Sequence, residues 1–283
     1  MTSWLRALLV VAAVTLAGTT LPGLGGNEEP ASQGATPSSG PAASTGPEDK
    51  SQKSARKQAA EKPLAGTTVA LDPGHQLGNA RFPDQVNALV DAGGLQKPCN
   101  STGTATDTGI AEATVVWELA REVQRRLRRL GAEVRLTRST NSQQRWGPCV
   151  DERGRFAEKV GADVLVSLHA DGNTSGGTGF HVIAPSSELP RTTGIAAPSR
   201  RLAERVRDGL DAAGLPRSSY VGEGRGLDVR DDLGTLNLSS VPAVMVEIGN
   251  LREPAEAARM TSAAGRAAYA IGIVRGISHH LGN

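Results

Sequence analysis

Aromatic side chains are scarce in this chain: three Trp, two Tyr and three Phe, 3% of 283 residues. That is low for a carbohydrate-binding module and unremarkable for an alanine-rich enzyme. Cysteine is scarcer still, with only Cys99 and Cys149. Two thiols cannot build a zinc finger, and neither lies near the N-terminus to carry a lipid anchor. A net charge of +2 leaves no basic footprint, so no nucleic-acid partner is expected. Long apolar runs are missing except one, Ala7 to Ala17, which follows Arg6. It is too short to span a bilayer comfortably and fits the apolar core of a secretory signal. We therefore expect a signal peptide over 1–26, a chain acting outside the cytoplasm (secreted or in the cell envelope), and no stable membrane insertion after cleavage. No clean A-x-A site follows, so an uncleaved N-terminal anchor remains the alternative. An oxidising compartment would let Cys99 and Cys149 pair.

Residues 27–63 are Pro, Ser, Gly, Ala and charge, with almost nothing apolar to bury. Such a segment reads as a disordered linker. The folded domain is expected over 64–283, as one unit with no internal repeat and as a monomer. Within it, strand and helix patterns alternate. "TTVALD" (67–72) is a strand, and "EATVVWELAREVQRRLRRLG" (112–131) is an amphipathic helix closed by Gly131. "AEVRLT", "DVLVSLH" and "TGFHVIA" are strands. A helix or helix pair is expected from about Ser142 to Val160, another helix over "PSRRLAERVRDGLDAAG" (198–214), and a last one from Ala255 to Leu281. "AVMV" (243–246) is a fully buried strand. The pattern predicts an α/β fold: a mostly parallel central sheet of about six strands, flanked by helices. Ligands of such sheets bind beyond the carboxyl ends of the strands.

What stands at those ends is chemical. The first strand delivers His75, "DVLVSLHADG" delivers His169, and "PAVMVEIGN" ends on Glu247; Glu112 opens the first helix. Burying an unpaired carboxylate costs several kcal/mol, so Glu247 is either solvated beyond the sheet or faces something positive. Two imidazoles and a carboxylate with an open fourth position make a catalytic zinc site, and a further carboxylate beside a bound water is the usual base. Taken singly, each residue has a plainer reading. A lone strand-end His is usually structural, Glu112 could complement the helix dipole, and Asp72 could form the turn before Pro73-Gly74. His181 reads as half-buried in mid-strand, and His279 and His280 suit the dipole of the last helical turn.

Together, "VALDPGHQ", "EATVVWELA", "LVSLHADG" and "PAVMVEIGN" closely resemble, in order and spacing, the zinc-dependent N-acetylmuramoyl-L-alanine amidases of the amidase-3 type. The resemblance runs from about Thr67 to Leu281. It implies a peptidoglycan hydrolase that uses zinc-activated water to cut the amide bond between the lactyl group of N-acetylmuramic acid and the L-alanine of the stem peptide. It implies one Zn2+ per chain held by His75, Glu112 and His169, with Glu247 as the catalytic carboxylate and peptidoglycan or muropeptides as partners. Ser167 and Asp171 flank the second-motif His as in the family. Asp171, together with Arg225 and Asp232 of "GRGLDVRDDLGTLNLSS", is a candidate for lining the substrate groove, with surface solvation the alternative for the last two.

Two departures from the family pattern stand out. Gln76-Leu77-Gly78 replaces the glycines that usually follow the first His, and the segment between His75 and Glu112 is long and holds Cys99. The "HADG" motif lies too close to the next helix for an inhibitory helical insert. A zinc peptidase cutting within the stem peptide, and an inactive zinc-bearing wall-binding or activator protein, are the rival readings. The secretory start and the lack of any other thiol motivate a Cys99–Cys149 disulfide, with two free buried thiols as the alternative.

Overall fold

The structure is a computed structural model that describes residues 62–282. The signal segment expected over 1–26 and nearly all of the expected linker lie outside the described residues. Eight strands are described: β1 (Thr68–Pro73), β2 (Leu89–Asp91), β3 (Gln96–Pro98), β4 (Glu133–Leu136), β5 (Val164–Asp171), β6 (His181–Pro185), β7 (Leu227–Arg230) and β8 (Ala243–Asn250). Seven helices accompany them: α1 (Pro83–Asn87), α2 (Glu112–Arg129), α3 (Val150–Lys159), α4 (Thr193–Ala212), α5 (Gly234–Asn237), α6 (Pro254–Thr261) and α7 (Ala263–Leu281). Six strands form one sheet in the order β4-β1-β5-β8-β6-β7, and β2 and β3 form a separate antiparallel hairpin. Every neighbour pair in the large sheet is parallel except β6 with β8. No helix among the described residues is long and apolar enough to cross a membrane.

The sheet is covered on both faces, which is why its central strands read as continuous apolar runs. Side chains alternate across a strand. Val69 and Leu71 of β1, Val164, Val166 and Leu168 of β5, and Val244, Val246 and Ile248 of β8 enter the larger core. There they meet Val116, Leu119, Val123 and Leu127 of α2, and α4 and α7 cover the same face. Fully burying a side chain of this size contributes about 1.5–3 kcal/mol. The other face holds a smaller core of Ala70, Leu165, Ile183, Ala243 and Met245 beneath Ala157 of α3 and Leu236 of α5. That cover stops short. On the same pleat rows, toward the carboxyl ends of β1, β5 and β8, the next residues are Asp72, Ser167, His169 and Glu247, and His181 at the amino end of antiparallel β6 pairs with Glu247. Alternation therefore delivers the polar residues to the uncovered end of the thinner face.

Several boundaries differ from the sequence expectation, each for a local reason. Residues 142–149 form no helix; the first helical residue is Val150. Their backbone donors are taken by side chains of the 75–79 segment instead: Ser142 N donates to Gln76 Oε1 (2.8 Å) and Gly147 N to Asn79 Oδ1 (3.0 Å). Helix α4 starts at Thr193, before Pro198, because the extra turn buries Ile195 and Ala196. The single C-terminal helix is two, broken at Ser262, whose extended backbone and Oγ (accepting from Gly265 N, 3.0 Å) cap α7. His181 is buried at 3% exposure, not half-buried.

Cys99 and Cys149 are joined, their Cα atoms 4.3 Å apart across 50 residues of sequence. The bond fastens the end of β3 to the start of α3, where Val150 N also donates to Cys99 O (2.7 Å). On the chain-entropy model, closing this loop stabilises by about 4 kcal/mol. We expect the double Cys99→Ser, Cys149→Ser variant to lose most of that in chemical denaturation, and the unreduced wild type to show no reactive thiol when unfolded. Two reactive thiols per chain would contradict the bridge.

Candidate metal centre

The site begins with the turn that ends β1. Its path needs Gly74, because a Cβ there would lie 2.3 Å from the His169 ring. The next residue, His75, adopts φ 56°, the left-handed region that side-chain-bearing residues avoid. Two buried arginines over-determine this conformation. Arg153, on α3 and 2% exposed, forms an ion pair with Asp72, which is fully buried. It also donates to Pro73 O (2.9 Å) and His75 O (2.7 Å). Arg138 donates to Pro73 O (2.9 Å), Gly74 O (3.2 Å) and Ala113 O (2.8 Å), and so ties the turn to the first turn of α2. Thr137 Oγ1 (2.6 Å) and Ser167 Oγ (2.7 Å) complete the shell around the Asp72 carboxylate. Burial opposes charge on Asp72, but Arg153 and the two hydroxyls outweigh it and hold its carboxyl below the usual range.

Glu112 occupies the first turn of α2 and is 3% exposed. Its Oε1 lies 3.1 Å from His75 Nε2 and 3.0 Å from His169 Nδ1, and accepts from Ala170 N (3.1 Å). Its Oε2 accepts from Thr104 N (3.0 Å). His75 Nδ1 lies 3.1 Å from Ser101 O, a carbonyl that can only accept, and Nε2 faces inward toward Glu112. The two imidazoles meet edge to face, centroids 4.9 Å apart. One ligand atom from each of His75, Glu112 and His169 lies within 4.8 Å of the others. Burial works against the Glu112 charge, yet the two histidines hold its carboxyl far below the ordinary value. Burial likewise opposes charge on His75, and Glu112 overcomes it, so the imidazole is shifted upward. The cluster thus favours positive charge at its centre, and two imidazole nitrogens with one carboxylate oxygen are a donor set suited to zinc.

Glu247 is paired with His169 in the β5–β8 register and borders the same cavity of about 630 Å³. Its Oε2 is buried with no hydrogen-bond partner. Burial pushes its carboxyl well above the ordinary range, the charges of Asp171 and Glu112 push it further, and Arg230 pulls it partly back. Asp171 also lines the cavity and accepts from Tyr220 Oη (2.8 Å). Asp232 is not among the cavity's lining residues; it is bonded to Lys97 Nζ (2.9 Å), which is, and to Arg230 (Nε and Nη2, both 2.8 Å). Arg225 is exposed, pairs with Glu223 (2.8 Å) and is not among the cavity's lining residues.

Sequence reasoning missed Arg138, Arg153, Ser101 and Tyr220. Only Arg153 left a signal: it shares a helix face with Ala157 and Val160, at four and seven residues, and that face packs inward.

A protein-family model described as N-acetylmuramoyl-L-alanine amidase, Amidase_3, matches residues 69–279. The N-acetylmuramoyl-L-alanine amidase Rv3717 of Mycobacterium tuberculosis is 40% identical over 219 residues, covering 77% of this chain and 88% of that protein. The crystal structure of the amidase Ami1 from Mycobacterium smegmatis superposes with a TM-score of 0.72 at 40% identity, over 77% of this chain and 98% of that one. The apo form of Ami1 from Mycobacterium abscessus also has a TM-score of 0.72 at 40% identity, over 77% of this chain and all of that chain (100%).

Proposed function

The chain belongs to the Amidase_3 family of N-acetylmuramoyl-L-alanine amidases, and from that premise we propose how its own residues carry the reaction. It is a peptidoglycan amidase that cleaves the bond between the lactyl group of N-acetylmuramic acid and the L-alanine of the stem peptide. We assign one Zn2+ per chain to His75, Glu112 and His169. The observation that carries this is the convergence of their three ligand atoms within 4.8 Å, beside a carboxylate left without a partner. When bound, zinc would lower the pKa of water and polarise the scissile carbonyl.

The remaining steps belong to side chains. Glu247 takes the proton of the attacking water as general base, then returns it to the departing alanine nitrogen. A carboxyl raised by burial takes up that proton more readily than an ordinary one, the property the first task needs. Asp171, held by Tyr220, lines the cavity with Glu247 in this scheme. Ser101 and Thr104 orient His75 and Glu112. The N-terminal residues act as a secretion signal (1–26) and a tether (27–63), which would bring residues 64–283 to the wall in the cell envelope.

The decisive experiment is digestion of purified peptidoglycan by the zinc-loaded protein, with mass analysis of the fragments. Intact stem peptides beginning with free L-alanine are expected; cuts inside the stem peptide would overturn the reading. His169→Ala should weaken zinc binding by more than the roughly 10–100-fold typical of losing an outer-shell partner. Stoichiometric zinc and normal turnover in that variant would refute the ligand assignment.

A further inference from the structure

A second recess of about 460 Å³ opens at the carboxyl ends of β1 and β4, within the size range of ligand pockets. Gln76, Phe82, Thr140, Gln144, Arg145 and Trp146 are among its lining residues. It adjoins the metal cavity along the sheet edge. Gln76 follows the cavity-lining His75, and Gly147-Pro148 of this recess lead, through Cys149, to Val150 and Arg153 of the cavity. Trp146 is 39% exposed and Gln143, Gln144 and Arg145 beside it are also exposed. An indole face, amides and a guanidinium on one surface have no part in the chemistry derived above.

The segment that carries them is built, not loose. Gln76 is 3% exposed, accepts from Ser142 N (2.8 Å) and donates to Thr140 O (3.2 Å). Gly78 lets the segment approach: a Cβ there would lie 2.2 Å from Arg145 O. Asn79 donates to Ser101 O (2.6 Å), the carbonyl that orients His75, and accepts from Gly147 N (3.0 Å), next to Trp146. Gln76 and Gly78, the departure from the family's first motif, thus dock the Trp146 segment rigidly against the metal-bearing turn.

We propose that this recess is a saccharide subsite that holds N-acetylhexosamine rings of the glycan strand next to the muramoyl residue being cut. The proposal rests on the peptidoglycan reading above. The two sides of the site differ in the groups they offer. The side toward β7 carries the cavity-lining Lys97, with its partner Asp232 and Arg230 just beyond the lining, an ion-paired surface suited to a peptide that bears ionised groups. The β4 side has charged groups too, Arg145 and Glu152, but adds Trp146, Gln144 and the Ser139 and Thr140 hydroxyls, suited to a sugar whose C–H face packs on an aromatic ring and whose hydroxyl and acetamido groups need hydrogen bonds.

The probe is a peptide-free tetramer of N-acetylglucosamine, titrated calorimetrically into the zinc-loaded full chain. Saturable binding is expected, weakened about tenfold by Trp146→Ala, the loss that one stacked ring produces, and largely kept by Trp146→Phe. On intact peptidoglycan, Trp146→Ala should raise KM by a similar factor with kcat held. No binding of the tetramer to wild type, or equal binding to wild type and Trp146→Ala, would overturn the proposal. So would an equal fall in kcat on a single-sugar muramoyl dipeptide, since that assigns Trp146 to support of the His75 turn. The tetramer holds no lactyl–alanine amide, so its binding reads the recess even if the cleavage assignment fails.

Discussion

Glu247→Gln should keep its zinc, keep a near-normal melting temperature and lose roughly 10² to 10⁴ in the rate of amide cleavage. The fold is spared because this carboxylate makes no hydrogen bond through Oε2 and no ion pair among the described residues, so nothing is orphaned when its charge goes. Removing a buried group that burial, Asp171 and Glu112 all disfavour as an anion should even leave the metal-free protein slightly more stable. A ligand role predicts lost zinc instead, and a purely structural role predicts lost stability with the surviving folded fraction turning over normally. Metal content, melting temperature and cleavage rate on this one variant separate the three. Full zinc with wild-type turnover would end the catalytic assignment.

The four candidate site residues were legible because each sits near the end or the start of a legible element. His75 follows β1 by two residues, His169 and Glu247 lie two and three residues before the ends of β5 and β8, strands whose apolar runs announce a sheet covered on both faces, and Glu112 opens the most strongly amphipathic helix among the described residues. What holds them could not be read. Arg153 meets Asp72 across 81 residues, and local sequence shows only a charged residue in a helix and an acid before a Pro-Gly turn. Strand β7, "LDVR", was missed because it is an edge strand with two charges in four residues, the composition of a loop. The 142–149 segment defeated helix reasoning for the opposite reason: its local pattern allowed a helix, and side chains some 65 residues earlier claimed its backbone donors.

That long-range pairing carries the other large effect. Arg153→Met should destabilise the metal-free protein by about 3–5 kcal/mol at neutral pH, the cost of stranding one partner of a buried ion pair. The pH dependence identifies the cause. In the wild type the Asp72 carboxyl is held below 3.8 by Arg153 and its hydroxyl donors. Its contribution is therefore present above pH 3.8 and is lost as pH falls through the lower folded value. Without Arg153, burial becomes the dominant influence and the carboxyl moves upward. Asp72 then favours the folded state only when protonated, and the variant loses stability as pH rises. The stability difference between wild type and Arg153→Met should accordingly be small in acid and grow with pH; a difference that stays flat would show that Arg153 acts through packing alone. Zinc affinity supplies the functional half of the test. Arg153 also donates to His75 O and Pro73 O, which hold the left-handed turn at His75. A compensating Asp72→Leu placed beside Arg153→Met removes the stranded charge and should recover much of the stability. It does not restore those two donors, so zinc binding in the double variant should remain weaker than wild type by about the 10–100-fold seen when an outer-shell partner is lost. Recovery of wild-type zinc affinity together with stability would show that the turn holds its shape without Arg153.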